Sequence, residues 1–406
     1  MSQHKSLVAI NLSVFLLMIG VGLIVAILPR RIMDLSASIA DVGLLASAYA
    51  IPNLLLQIPV GKLADRFGFK GFIVGGYLLC GLSGLLYYFA DTPFLFFGGR
   101  FFQGIAEVPI WALAPALLSI RYVSVKGAVM GAYNASLHCG LTLGGLLSMV
   151  VGRFWQGNEP FLLFTAMSTL GGVITVLWAE DPQRQTVNPT PSRRVGGKSL
   201  ARVVNRMNLV VLAGTILYGA GYGIFITIVP AFLIDTHAAA PCAIGLYFTL
   251  FYLAVSLSQL LAGRWSDRWG RKPVMVIGLA LAASGIAMFQ RCPFSAAITV
   301  LALASLGLGM FCVSAMAFLN ERVGETQKGG ISGIFYFCWG GGYFLGPLLL
   351  GHSGASMGLT TGFGLFAGLI MAQLVAIIVT INQQRFALIP FGLPPERKNG
   401  IHDERP

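Results

Sequence analysis

The sequence predicts an all-α integral membrane protein with twelve transmembrane helices in two six-helix bundles. Three features lead there: long apolar blocks, a one-sided distribution of basic residues, and an internal repeat. Of 406 residues, 56% are hydrophobic and 10% charged, against about 25% charged residues in a soluble domain. So few charges cannot cover a water-soluble body of this size. Blocks of about 20 apolar residues match a bilayer core of about 30 Å. Each must be helical, because lipid offers the backbone no hydrogen bonds.

The blocks lie at 7–29, 41–60, 71–90, 94–118, 127–151, 160–179, 208–234, 242–262, 273–290, 294–319, 329–351 and 358–382. The first resembles a signal peptide, with Lys5 before it and Ser36-Ala37-Ser38 after it. Its apolar stretch exceeds the roughly 7–15 residues of such a leader, and it has a relative in the second half, so a retained helix is expected. Residues 180–206 break the pattern with Glu180, Asp181, three prolines and several arginines, as a polar linker does. The expected organisation is an N-terminal bundle at 1–180, a linker at 181–206, a C-terminal bundle at 207–384 and a tail at 385–406.

The net charge of +12 orients the chain. Twenty-two of the 27 Lys and Arg residues fall on the side of the N-terminus; Arg30, Arg31, Arg153 and Arg291 fall on the other, and Arg100 lies within a span. By the positive-inside rule both termini are cytoplasmic, as expected for a plasma (bacterial inner) membrane protein. The distribution argues against nucleic acid as a partner. Six scattered cysteines without a Cys-x-x-Cys pair predict no disulfide framework and no metal site.

The halves are related. Gly61-Lys62-Leu63-Ala64-Asp65-Arg66-Phe67-Gly68-Phe69-Lys70 matches Gly263-Arg264-Trp265-Ser266-Asp267-Arg268-Trp269-Gly270-Arg271-Lys272 at an offset of 202. The same offset takes Gln57 to Gln259, and Gly131, Gly140 and Gly144 to Gly333, Gly342 and Gly346. With one residue's slip, Gly20, Gly22 and Pro29 match Gly221, Gly223 and Pro230. Parallel repeats of this kind are related by an axis along the membrane normal and can rock about a site between them.

At these residues the chain resembles the major facilitator superfamily, and within it the drug:proton antiporter-like branch. Arg100-Phe101-Phe102-Gln103-Gly104 is similar to the family's Arg-x-x-Gln-Gly motif, and Gly333, Gly342, Gly346 and Pro347 to the antiporter glycine motif. Two positions depart: Phe69 replaces a basic residue, and Gly145 stands where the fifth helix of antiporters has proline. The resemblance implies a conformational latch of Gly61, Asp65, Arg66, Gly68, Gly263, Asp267, Arg268 and Gly270. Asp65 would lie near the start of helix 11 (Gly329 to Ser332), and Asp267 near that of helix 5 (Gly127 to Met130). A carboxylate at a helix N-terminus contributes about 0.3–1 kcal/mol, enough to bias two states without trapping one.

Arg100 and Glu107 are seven residues apart, about two turns on one helix face. From a start near Phe94, Arg100 lies about 9 Å deep and Glu107 about 20 Å. Glu107 is the only carboxylate well inside a predicted span, and a charge there costs at least about 2.5–3.5 kcal/mol, so it faces a cavity or a partner. Burial favours a neutral carboxyl group and a guanidinium favours an ionised one. Glu107 is therefore the expected proton-coupling residue with Arg100 tuning it; a static ion pair or a cationic solute on Glu107 are alternatives. Phe15, Gln103, Trp111, Tyr218, Tyr222 and Phe225 are the expected solute contacts, since an apolar aromatic pocket with one acid suits amphiphilic cations; interhelical packing is the alternative. Asp34 reads as a solvated loop charge, His138 as an interior histidine beside Asn134, and the glycines of helices 5 and 11 as packing positions. Pro109 and Pro115, and Pro29 and Pro230, are expected to bend helix 4 and the ends of helices 1 and 7.

The chain has no Gly-x-x-x-x-Gly-Lys-Ser/Thr loop, His-Glu-x-x-His or Gly-x-Ser-x-Gly. That predicts no enzyme, no cofactor and no ATP engine. The expected function is secondary active transport by alternating access: proton-coupled export of a small amphiphilic or cationic solute by a monomer. Import or facilitated passage of a metabolite, and a non-transporting sensor or scaffold, are the alternatives.

Overall fold

A computed structural model of the chain describes residues 2–122, 125–155, 157–180, 205–323 and 328–381; the proposed linker, except Asn205 and Arg206, and the tail lie outside them. Twelve helices there are long and apolar enough to cross a membrane. They are α1 (Ser2–Ser36), α2 (Ile39–Phe67), α3 (Phe69–Tyr88), α4 (Pro93–Arg121), α5 (Lys126–Phe154), α6 (Pro160–Trp178), α7 (Arg206–His237), α8 (Pro241–Trp269), α9 (Arg271–Met288), α10 (Phe294–Glu321), α11 (Lys328–Met357) and α12 (Leu359–Thr380). The shortest, α9, has 18 residues, about 27 Å at 1.5 Å per residue.

Several helices outrun their apolar blocks. α2 passes through Gly61, Asp65 and Arg66, and the chain turns only at Gly68 (φ 99°, ψ 157°). α8 likewise runs through Asp267 to Gly270 (φ 91°, ψ 159°). The repeated "loop" of each half is thus a helix end plus one glycine, in a backbone region that side chains rarely enter. Polarity ends the hydropathic signal there, while the backbone ladder continues into the polar zone.

α4 carries a π-helical turn at Pro109–Leu113, because Pro109 has no N–H to donate. Tyr133 donates to the Ile110 carbonyl of that turn over 2.7 Å. α7 breaks at Thr227 (φ −127°, ψ −67°), three residues before Pro230, and Tyr247 donates to the Phe225 carbonyl over 2.6 Å. Each irregular turn thereby finds a partner outside its own helix.

The packing repeats from half to half. α1 packs on α5 and α6, α3 on α4 and α6, and α2 on α4; α7 packs on α11 and α12, α9 on α10 and α12, and α8 on α10. Lys70 donates to the Val176 carbonyl and Lys272 to the Ile378 carbonyl, each over 2.8 Å. Both place a cation at a helix C-terminus, where it is favoured, and both partners differ by 202. A side chain at Gly140 or Gly144 would collide with the α1 backbone, and one at Gly342 or Gly346 with α7. These glycines therefore serve close helix packing.

Between the halves, α2 meets α11 and α5 meets α8. The contacts crowd the end opposite the Asp-Arg motifs. Gly43 abuts Pro347, Ser47 donates to the Phe344 carbonyl over 2.9 Å, and Gly145 abuts Thr249. Toward the motif end, a side chain at Gly61, Gly131, Gly330 or Gly333 would meet nothing within 4 Å. Among the described residues, these contacts between the halves lie toward the end opposite the motifs.

Candidate functional site: a buried acid on helix α4

Arg100, Gln103, Glu107 and Trp111 form a stripe along α4, at the three- and four-residue spacing that puts side chains on one face. Gln103 is 0%, Glu107 1% and Arg100 3% exposed. Buried polar groups need partners, and neighbouring helices supply them. The Gln103 amide donates to Glu107 Oε1 over 2.7 Å; the Tyr49 hydroxyl and the Trp111 indole donate to Oε2 over 2.7 and 2.9 Å. Arg100 donates to Gln103 Oε1 over 3.0 Å and to the Leu45 carbonyl over 3.3 Å. Tyr87 adds a second bond to Gln103 Oε1 over 2.7 Å. No ion pair joins Arg100 to Glu107 among the described residues; Gln103 stands between them and links the two charges. The guanidinium lies 5.0 Å from the Tyr49 ring centroid, a cation–π contact that helps to hold it away from water.

The aromatic side chains continue this network across the molecule. Tyr49 of α2 meets Tyr343 of α11 edge-on at 6.0 Å. Tyr343 lies 6.3 Å from Tyr222 and 5.4 Å from Trp339. Tyr222 packs on Phe251 at 5.3 Å and on Tyr218 at 6.3 Å. Such pairs contribute about 0.5–1.5 kcal/mol each beyond area burial.

Of the expected solute contacts, Trp111 is the most open at 41% exposure, Tyr222 and Phe15 are partly buried, and Tyr218 and Phe225 are buried. Gln103 has both amide atoms engaged by the protein. Phe225 packs on Phe251 at 5.9 Å, and Phe15 lies on α1 against Gly140 of α5. Sequence reasoning missed Tyr49, Tyr87, Trp339 and Tyr343. A signal existed for Tyr49, a hydroxyl-bearing residue inside an apolar span whose counterpart at the repeat offset is Phe251. In the second half the counterpart of Glu107 is Gly309, whose side-chain space is filled by Ser258.

At the motif end, Asp267 pairs with Arg271 at 2.6 Å, and Arg271 also donates to Glu321 over 2.9 Å. Position 69 is Phe, so the first copy has no such arginine, and Asp65 makes no ion pair among the described residues. Arg66 lies over the Phe67 ring at 5.2 Å. Asp34, expected in a loop, lies in the last turn of α1, where it pairs with Arg31 one turn back at 3.5 Å, because the helix runs on past its apolar block. His138 faces Gln259 of α8 across the halves.

Twelve spanning helices, a packing pattern that repeats at a constant offset and a buried acid at the junction of two halves define a membrane transporter fold. The chain belongs to the Major Facilitator Superfamily, whose sequence pattern matches residues 10–235 and 211–385. It is 23% identical to an uncharacterized MFS-type transporter of Methanocaldococcus jannaschii, covering 94% of this chain and 99% of that one. It is 25% identical to Multidrug resistance protein 2 of Bacillus subtilis, covering 91% and 94%. Against Tetracycline resistance protein, class C, of Escherichia coli it is 25% identical, covering 82% and 85%. Its fold matches a variant of the nucleoside transporter NupG with a TM-score of 0.80 at 18% identity, covering 93% and 100%. A bacterial homologue of the human lysosomal transporter Spinster gives 0.75 at 18%, covering 93% and 95%.

Proposed function

We propose that this chain exports small amphiphilic or cationic organic solutes in exchange for protons. It does so as a monomer, by alternating access between the halves at 1–180 and 207–384. The observation that carries this is Glu107, a carboxylate in mid-span, 1% exposed, tied to neutral donors and separated from its nearest guanidinium by Gln103. A group so placed can bind and release a proton as its surroundings change. The half-exposed Trp111 and partly buried Tyr222 beside it suit an aromatic cation. Drug-resistance relatives along most of the chain support export.

The motif end is cytoplasmic in this proposal, as the basic residues require, and both termini lie on that side of the plasma (bacterial inner) membrane. Asp65, Arg66, Asp267 and Arg268 then act as latches when the cytoplasmic end closes. Gly61, Gly68, Gly263 and Gly270 supply the close approach and the turns.

The test is uptake of a lipophilic cation into inside-out proteoliposomes under an imposed pH gradient. One coupled proton supports about tenfold accumulation per pH unit. Glu107→Gln should abolish accumulation; an unchanged gradient response would remove Glu107 from the proton path. Gly145, in place of the antiporter proline, favours a second reading, import or facilitated passage of a metabolite. Counterflow that ignores the pH gradient would favour that reading.

A further inference from the structure

Glu107 accepts three hydrogen bonds, and the capacities of the three donors differ. The Trp111 indole nitrogen can only donate. The Gln103 amide could in principle turn round, but its Oε1 is held by Arg100 and Tyr87, so its nitrogen stays facing the acid. A protonated carboxyl group brings a donor of its own. It fits this shell only if one neighbour changes from donor to acceptor, and the Tyr49 hydroxyl is the neighbour able to do so.

Tyr49 is also where the first half touches the second. The titratable or charged groups facing Glu107 are Arg100 on its own helix, Tyr49 on α2, Cys80 and Tyr87 on α3, Tyr133 on α5, Tyr222 on α7 and Tyr343 on α11. Of these, only Tyr49 both bonds the carboxylate and packs on a ring of the other half, Tyr343 at 6.0 Å. Tyr343 in turn contacts Trp339 and Tyr222. The pair lies in the α2–α11 contact, beside the bond from Ser47 to the Phe344 carbonyl.

We propose that Tyr49 and Tyr343 form the link through which the protonation of Glu107 is passed to the second half. This rests on the titration of Glu107 proposed above. While Glu107 is ionised, the Tyr49 hydroxyl is pinned to Oε2 and its ring is held edge-on to Tyr343. When Oε2 takes a proton, the Tyr49 oxygen accepts it in a hydrogen bond, and the tyrosine's own O–H turns to a new acceptor. The hydroxyl across the interface, on Tyr343, already faces Arg100 and keeps a second lone pair with which to be that acceptor. The reversal changes the α2–α11 contact and so the balance between open and closed states. Tyr49 and Tyr343 are positioning residues: they move no proton across the membrane.

The experiment needs no solute. Spin labels at Leu63→Cys and Leu260→Cys, on α2 and α8, report the separation of the halves at the motif end in nanodiscs, with accessible native cysteines replaced by Ser. The infrared carboxyl stretch that Glu107→Gln removes reports protonation of Glu107. In the otherwise wild-type protein the open-to-closed ratio should change by up to about tenfold per pH unit, the limit for one fully coupled proton. In Tyr49→Phe, which keeps the ring, and in Tyr343→Phe, the carboxyl band should still titrate while the ratio changes by less than about twofold per pH unit. A wild-type distance response in both variants overturns the link and leaves Glu107 as the proton site. Absence of any Glu107 band in the parent protein overturns both assignments. Should Tyr49→Phe fail to fold, Tyr343→Phe alone decides, since it leaves the three donors to Glu107 in place and removes, besides the proposed acceptor, only a hydroxyl facing Arg100.

Discussion

The Trp111 indole donates to Glu107 over 2.9 Å while 41% of the residue remains exposed. One side chain thus has its polar edge on the buried acid and the rest of its ring open. The π-turn at Pro109–Leu113 carries Trp111 on the same stripe as Glu107. If this ring is the platform for the solute, Trp111→Ala should weaken half-saturation in counterflow about tenfold, the loss of one cation–π and stacking contact of roughly 1–2 kcal/mol. Trp111→Phe keeps a ring and should stay within about threefold of wild type. Equal losses in both variants would assign the effect to the hydrogen bond instead.

Gln103 joins the two buried charges, so its removal should be felt as stability. Gln103→Leu leaves Arg100, Glu107 and Tyr87 each short of a partner, and a buried group so stranded costs about 1–3 kcal/mol. Thermal unfolding in detergent should show a clear fall in Tm. Gln103→Glu keeps the acceptor for Arg100 but loses the donor to Glu107, and should fall between the two.

The two copies of the Asp-Arg motif are unequal in their ion pairs. Arg271 links Asp267 and Glu321, whereas Phe69 leaves the first copy without that arginine. Arg271→Ala should alter stability by less than about 1 kcal/mol, as expected for partly exposed pairs. It should nevertheless change the transport rate, because it frees Asp267 for the start of α5. Initial rates at matched expression decide: an unchanged rate rejects a latch at Asp267.

The glycines divide into two classes with opposite expected responses. Gly144→Val and Gly346→Val drive a side chain into the α1 or α7 backbone and should lower thermal stability by about 1–3 kcal/mol or more, the usual penalty of overpacking. Gly131→Leu and Gly333→Leu enter open space and should leave stability nearly unchanged. Transport should slow, because the same positions face a closing gap when the motif end shuts. Normal transport by the latter pair would mean that α5 and α11 do not approach there.

Much of the scaffold was legible because hydropathy and repetition are properties of the chain order. The twelve blocks matched twelve spans, since lipid demands a helix wherever an apolar stretch is long enough. The relation between Gly61 and Gly263 anticipated the paired bonds of Lys70 and Lys272. Span ends were harder: Asp65 and Arg66 end the apolar pattern, yet the helix continues to Phe67 because the turn is set by the backbone of Gly68.

For the acid site, spacing along one helix was enough to pick out Arg100, Gln103 and Glu107 as a single face. Which of them touch one another was not a matter of spacing. Seven residues suggested a direct Arg100–Glu107 relation, and the side chain three residues on from Arg100 intervenes instead, because Tyr87 and Arg100 together fix the orientation of the Gln103 amide. Tyr49 and Tyr343 lie 294 residues apart in the sequence and enter the site only because α2 packs on α11. The sequence by itself determined that this chain spans a membrane twelve times, that its halves repeat, and that one half carries a buried acid. Only the tertiary structure decided which partners surround that acid, because partners supplied by other helices depend on how those helices are packed.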